Sequence, residues 1–162
     1  MDTPWQHTTV LLSEAVDALD IQPDGTYVDA TFGRGGHSSR ILQLLGSEGR
    51  LIAIDRDLAA VEAGRAVSDS RFTLVHGWFG ELRKLLAKKN VTRLDGLLLD
   101  LGVSSPQLDD ASRGFSFRFD APLDMRMDQS RGMTAGEWLL RAEESEIRGV
   151  IRDHGEDRKS VV

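Results

Sequence analysis

With 162 residues, 40% hydrophobic, 28% charged and none of them cysteine, the chain has the makeup of one globular domain or slightly more. The lack of cysteine excludes disulfides, thiolate zinc sites, iron–sulfur clusters and cysteine nucleophiles, and the four histidines, at 7, 37, 76 and 154, are too scattered for a local metal motif. A net charge of −6 without a basic tail argues against indiscriminate coating of nucleic acid, so any such contact has to be local and shape-driven.

From the amino terminus onward, Met1–His7 lacks the basic-then-apolar order of a secretory signal. No apolar run is long enough to span a bilayer. A cytoplasmic location and no membrane partner are therefore the expectation. Leu11, Leu12, Ala15, Val16 and Leu19 share one face of an amphipathic helix. Short apolar runs at Thr26–Thr31, Arg50–Ile54, Phe72–Val75 and Gly96–Asp100 predict four strands, the last Leu-rich on both faces as in a buried parallel strand. Helical spacing over Gly36–Leu45, Leu58–Val67 and Phe79–Lys89 fills the gaps between them. This alternation predicts an α/β fold, a doubly wound parallel sheet whose functional edge is at the strand carboxyl ends. Residues 101–133 show no clear periodicity but hold two Pro, four Arg and three Phe. Thr134–Glu137 then reads as a capping box opening a helix through Leu140, and a further helix covers Glu144–Arg152 with Gly155 near its end.

Four segments carry chemistry. In Val28-Asp29-Ala30-Thr31-Phe32-Gly33-Arg34-Gly35-Gly36-His37, a strand enters a glycine-rich turn and then a helix. Glycines 33, 35 and 36 allow a tight turn and a close approach of backbone to ligand, and the helix start offers free N–H groups to an anion. An ordinary strand–helix turn is the alternative, and Ser38 breaks the dinucleotide G-x-G-x-x-G spacing. In the second segment Asp55 ends a strand 20 residues after Gly35, where a carboxylate can accept both hydroxyls of a ribose; the alternative is a surface Asp capping the next helix. Together these two segments favour an adenosyl ligand. His76-Gly77-Trp78-Phe79 follows the third strand, and its aromatic either stacks on a base or belongs to the core. Finally, Leu97–Asp110 sets Asp100 at a strand end before a Pro-containing loop, suited to holding an amine or simply to capping a turn.

These segments, with His7–Leu12, Arg113-Gly114-Phe115-Ser116-Phe117 and Pro122–Met127, closely resemble the bacterial small-subunit ribosomal RNA (cytosine-N4)-methyltransferase family, the ribosomal small subunit methyltransferase H type, over residues from about 5 to 157. The resemblance implies a Rossmann-like class I S-adenosylmethionine-dependent methyltransferase fold, N4-methylation of a cytidine in the decoding region of 16S ribosomal RNA within the small subunit, and S-adenosyl-L-methionine as cofactor. It places the cofactor site on Gly35, Gly36, His37, Asp55, Phe79, Asp100 and Gln107, to which the glycine turn adds Gly33. Asp100 is also the candidate catalytic residue, with its contact open between the target amine and the cofactor's methionine end. A homodimer is a further expectation. Residues 1–110 are expected to form the cofactor-binding domain with the first four strands, and 111–162 a loop and the start of a helical substrate-side domain.

Family members run on past Glu156-Asp157-Arg158, where the resemblance stops, so the chain looks like a carboxy-terminally truncated member with an incomplete fold. Two rival readings follow: a non-catalytic remnant that binds cofactor only, and a nucleotide-dependent oxidoreductase, which should want a different glycine spacing. Arg113, Arg118, Arg126 and Arg131, interleaved with Phe115, Phe117 and Phe119, either contact RNA or, balanced by Asp120, Asp124 and Asp128, form a salt-bridged structural loop.

Overall fold

The computed structural model describes residues 9–155, so His7 and Thr8 at one end and Glu156–Arg158 at the other lie outside the described residues. In chain order the elements are α1 (Leu12–Asp17), β1 (Thr26–Asp29), α2 (Gly36–Leu44), β2 (Arg50–Asp55), α3 (Leu58–Gly64), β3 (Phe72–His76), α4 (Leu82–Ala87), β4 (Gly96–Leu98), α5 (Ser105–Asp109), α6 (Ala135–Leu139) and α7 (Glu144–His154). The chain divides into two units, residues 1–105 and 106–162.

In the first unit the strands form one parallel sheet in the order β3-β2-β1-β4. The α/β architecture expected from the alternating pattern is thus present. Successive strand residues face opposite sides. On one side Tyr27, Leu51 and Leu98 pack with Val16 of α1 and with Ile41, Leu42 and Leu45, while Ala53 meets Phe32 and Ala60 of α3. On the other side Val28, Ile52 and Ile54 pack against Leu86 of α4 and Val91. Order reverses at β1, which has β2 on one flank and β4 on the other, and in such sheets the crevice beyond the strand ends at the reversal is where ligands bind.

Three expectations need correction. The predicted helix at Phe79 begins as a 3-10 turn, Phe79–Glu81, and becomes α-helical only at Leu82. The strand at Gly96–Asp100 is not buried on both faces: β4 stops at Leu98 at the edge of the sheet, and Leu97, Leu99 and Leu101 are exposed. Leu97 pairs with Val28, and the layer that covers Val28 does not reach it. The aperiodic stretch after position 100 also contains α5 and a 3-10 turn at Ala111–Arg113, both too short to leave a periodic signature.

The second unit is held by polar contacts. Buried Arg113 donates through its guanidinium to the carbonyls of Arg126 (3.1 Å) and Met127 (3.0 Å), and Met125 N–H donates to the Arg113 carbonyl at 2.9 Å. Arg126 forks onto both oxygens of Asp124 at 2.8 Å, holding that carboxyl well below the usual carboxylate range. The backbone of the same neck receives α6: Ala135 N–H donates to the Asp124 carbonyl and Gly136 N–H to that of Leu123, each at 2.8 Å. Thr134 and Glu137 form the expected capping box on α6, and Glu143 and Glu146 form a second one on α7.

Candidate functional site

All four strands of the first unit point their carboxyl ends to one edge, and the residues leaving that edge are the candidates. After β1 the chain turns across the end of β2. Phe32 N–H donates to the Ile54 carbonyl (3.0 Å) and Gly35 N–H to the Phe32 carbonyl (2.7 Å). Gly35 sits at φ +78°, and a Cβ there would come within 2.8 Å of the Phe32 ring. The glycine is therefore dictated by the turn itself. A Cβ on Gly36 would run into the Thr9 side chain, while one on Gly33, at φ +55°, would meet only the Thr31 carbonyl at an ordinary 3.9 Å.

Asp55 closes the turn. Its Oδ2 accepts from Gly33 N–H at 2.7 Å and its Oδ1 from Asp57 N–H at 2.8 Å. Each carboxylate oxygen can accept more than one hydrogen bond, so both keep acceptor capacity for a vicinal diol. Burial pushes the Asp55 carboxyl above its ordinary value. Capping of the next helix falls instead to Asp57, whose Oδ1 accepts from Ala59 N–H at 2.9 Å. The helix-cap alternative for Asp55 is thereby removed.

Behind the turn, α2 opens at Gly35 without a side-chain cap, so its first N–H groups have no side-chain partner at the strand edge. His37 lies in that first turn and is buried, and its Nε2 has no hydrogen-bond partner among the described residues. Its Nδ1 is 4.0 Å from Oδ2 of Asp100, whose side chain is 52% exposed beyond the end of β4. The edge thus brings together Gly33, Gly35, Gly36, His37, Asp55 and Asp100. Phe79 follows β3 on the same edge; its ring is tilted against Trp78 at 6.1 Å, and both aromatics are exposed. Nearby, the His76 ring reaches the Arg56 carbonyl at 3.1 Å, as a structural histidine would. Gln107 belongs to the second unit, on α5, and is buried.

Sequence pattern alone assigns no role to Asp29 or Thr31. Asp29 is fully buried at the end of β1, accepting from Ser38 Oγ at 2.7 Å and Thr31 N–H at 3.1 Å, and burial pushes its carboxyl upward. Thr31 Oγ1 accepts from the Asp100 N–H at 2.8 Å. A carboxylate closing an otherwise apolar strand was the available signal for Asp29. No sequence signal links Thr31 to a residue 69 positions away.

A diol-ready carboxylate, an uncapped helix start, an orphaned buried imidazole nitrogen and exposed aromatics suit a nucleoside that carries an amino acid. Among the described residues no group of three His, Asp or Glu side chains could hold a metal ion. In the second unit Arg113, Arg126 and Arg131 are tied to the loop's own carbonyls and to Asp124 and Asp128. Arg118 makes no ion pair among the described residues, and beside it Phe117 is fully exposed and Phe119 nearly half exposed.

A family model described as the MraW methylase family matches residues 4–161. The chain belongs to this family. The match runs past Arg158, where the motif resemblance ends. Proteins named ribosomal RNA small subunit methyltransferase H are 60% identical over 153 residues in Methylobacillus flagellatus, 63% over 158 in an Azoarcus species and 62% over 161 in Chromobacterium violaceum. These alignments cover 94%, 98% and 98% of this chain but 48%, 51% and 50% of the relatives. The chain spans about half the length of the curated relatives it matches. The resemblance carried by the sequence motifs therefore holds at the level of the family.

Proposed function

We propose that this chain binds S-adenosylmethionine and serves a methyltransferase acting on the exocyclic N4 of a cytidine in the decoding region of 16S ribosomal RNA. The observation that carries the reading is the Asp55 carboxylate, held by one backbone N–H on each oxygen at the end of β2. The methylase family and the rRNA methyltransferase names of its relatives support it. When bound, S-adenosylmethionine supplies an already electrophilic methyl group. The protein's part is then mainly positioning and electrostatics. Asp55 takes the ribose hydroxyls, the start of α2 faces an anionic group, and Phe79 lies against the base. Asp100 accepts a hydrogen bond either from the target amine or from the methionine end of the cofactor. A cytidine within folded RNA has to be splayed out to reach such a site. In the second unit, Phe117, Arg118 and Phe119 offer a surface of their own to RNA. No helix among the described residues is long and apolar enough to cross a membrane, and a cytoplasmic location fits the substrate.

Calorimetric titration with S-adenosylmethionine and, separately, with a nicotinamide dinucleotide tests the reading. Saturable binding of the first alone is the expected result. Binding of the dinucleotide instead would return the oxidoreductase alternative.

A further inference from the structure

We propose that Thr31 is the positioning residue that holds Asp100 beside His37, and that buried Asp29 anchors both members of that pair. The inference rests on the assignment of Asp100 to the S-adenosylmethionine site. The β1–β4 ladder ends where Asp29 pairs with Leu98, and the last bond between these chains runs from Ala30 N–H to the Leu98 carbonyl at 3.0 Å. Asp100 lies two residues farther on, outside the ladder and half exposed, where a chain without a tether would wander. Its one hydrogen bond among the described residues is from its own N–H to Thr31 Oγ1, at 2.8 Å.

Thr31 is itself fixed. Its N–H donates to Asp29 Oδ1 at 3.1 Å, and the other oxygen of Asp29 accepts from Ser38 Oγ at 2.7 Å. Ser38 adjoins His37 on α2. One fully buried carboxylate thus sets the helix that carries His37 through Ser38, and the backbone of Asp100 through Thr31. The contact between Thr31 and Asp100 uses an acceptor oxygen, which valine of similar shape lacks. Burying the Asp29 carboxylate is costly, and its two acceptor bonds offset that cost while serving both arms of the device.

The test combines affinity with a readout that needs no cofactor. S-adenosylmethionine titrations are run on the wild type, Thr31→Val, Thr31→Ser, Asp100→Ala and the Thr31→Val/Asp100→Ala double variant, with amide exchange at Asp100 followed by NMR. Thr31→Val is expected to weaken binding about tenfold, the loss of one hydrogen bond, and Thr31→Ser to restore it. The double variant is expected to bind within about twofold of Asp100→Ala alone, because the two residues act as one unit. Without cofactor, the Asp100 amide is expected to exchange at least about tenfold faster in Thr31→Val, with β1 amides unchanged. Should Thr31→Val fail to fold by circular dichroism, Thr31→Ala takes its place under the same criteria. Multiplying penalties in the double variant, or wild-type affinity in Thr31→Val, would overturn the inference while leaving the cofactor assignment intact. A wild type that binds no S-adenosylmethionine would overturn both.

Discussion

Glycines 33 and 35 stand two residues apart in the same turn, yet the structure asks different things of them. Gly35 combines φ +78° with the Phe32 ring in the space a Cβ would take, whereas Gly33 at φ +55° meets no obstruction. Asparagine tolerates the left-handed region, so Gly33→Asn is expected to cost no more than about 1 kcal/mol. Gly35→Ala carries a backbone penalty of about 1–2 kcal/mol and the ring clash besides. Thermal melts of the two variants check this order, and equal losses would contradict it. At Asp55 the expected effect is on the ligand: Asp55→Ala should lower S-adenosylmethionine affinity by about 1–3 kcal/mol, since a ribose diol loses its charged acceptor. Calorimetry on the folded variant decides this, and unchanged affinity would detach the ribose from Asp55.

Between elements, Arg71 is the main polar tie of the first unit. It forks onto Asp69 while Nη1 reaches the carbonyls of Leu45 and Gly46, so the start of β3 closes the carboxyl end of α2. Those hydrogen bonds hold the Asp69 carboxyl down to about 2, against an ordinary value of 3.8. The folded chain binds this proton less tightly than the unfolded one, so the contribution is complete above 3.8 and lost as pH falls toward 2. Asp69→Asn is expected to lower the melting temperature at pH 7, with the gap to wild type closing between pH 3.8 and about 2. Asp29 and Asp55, pushed upward by burial, act in the opposite sense: the stability they permit is present at low pH and lost as pH rises through their raised values. In the second unit the ion pairs within loop 113–131 leave its tip outward. Phe117→Ala is expected to weaken binding of a single-stranded RNA oligonucleotide by about 1–3 kcal/mol through lost stacking. Arg118→Ala should reduce the salt dependence by about one phosphate contact. Fluorescence anisotropy over a salt series measures both, and two silent variants would remove the tip from the RNA surface.

For the molecule as a whole, β4 matters most. Leu97, Leu99, Leu101 and Val103 are exposed along and beyond an edge strand, the kind of surface that promotes association. This chain is expected to self-associate in sedimentation velocity, and Leu97→Lys or Leu99→Lys to shift it toward monomer. The same open face bears on activity. In the proposed site the cofactor would rest on the strand edge, but methyl transfer needs the target amine held at bonding distance, and small misplacements cost about a hundredfold in rate. The expected result is measurable S-adenosylmethionine affinity with little transfer of radiolabelled methyl to small subunits lacking the modification, one of the longer curated relatives serving as positive control. Turnover equal to that control would show that the exposed β4 face does not limit the chemistry.

Strand and helix positions were legible because their causes are local: short apolar runs at Thr26–Asp29 and Arg50–Asp55, helical spacing over α2, and the Thr134–Glu137 box. The turn glycines and Asp55 were legible for a related reason, since a strand–turn–helix unit places them within one stretch of chain. Partners distant in sequence were not. That Asp57 rather than Asp55 caps α3, that three of the loop arginines are taken by neighbouring carbonyls and carboxylates, and that β4 keeps an open face all depend on what the folded chain brings alongside. The same holds for Thr31 and Asp100, 69 residues apart, which meet only because β4 returns to lie against β1. Residue type and spacing determined which groups were available to bind a nucleoside; burial and hydrogen-bond competition, which exist only in the folded chain, decided which of them remain open to do so.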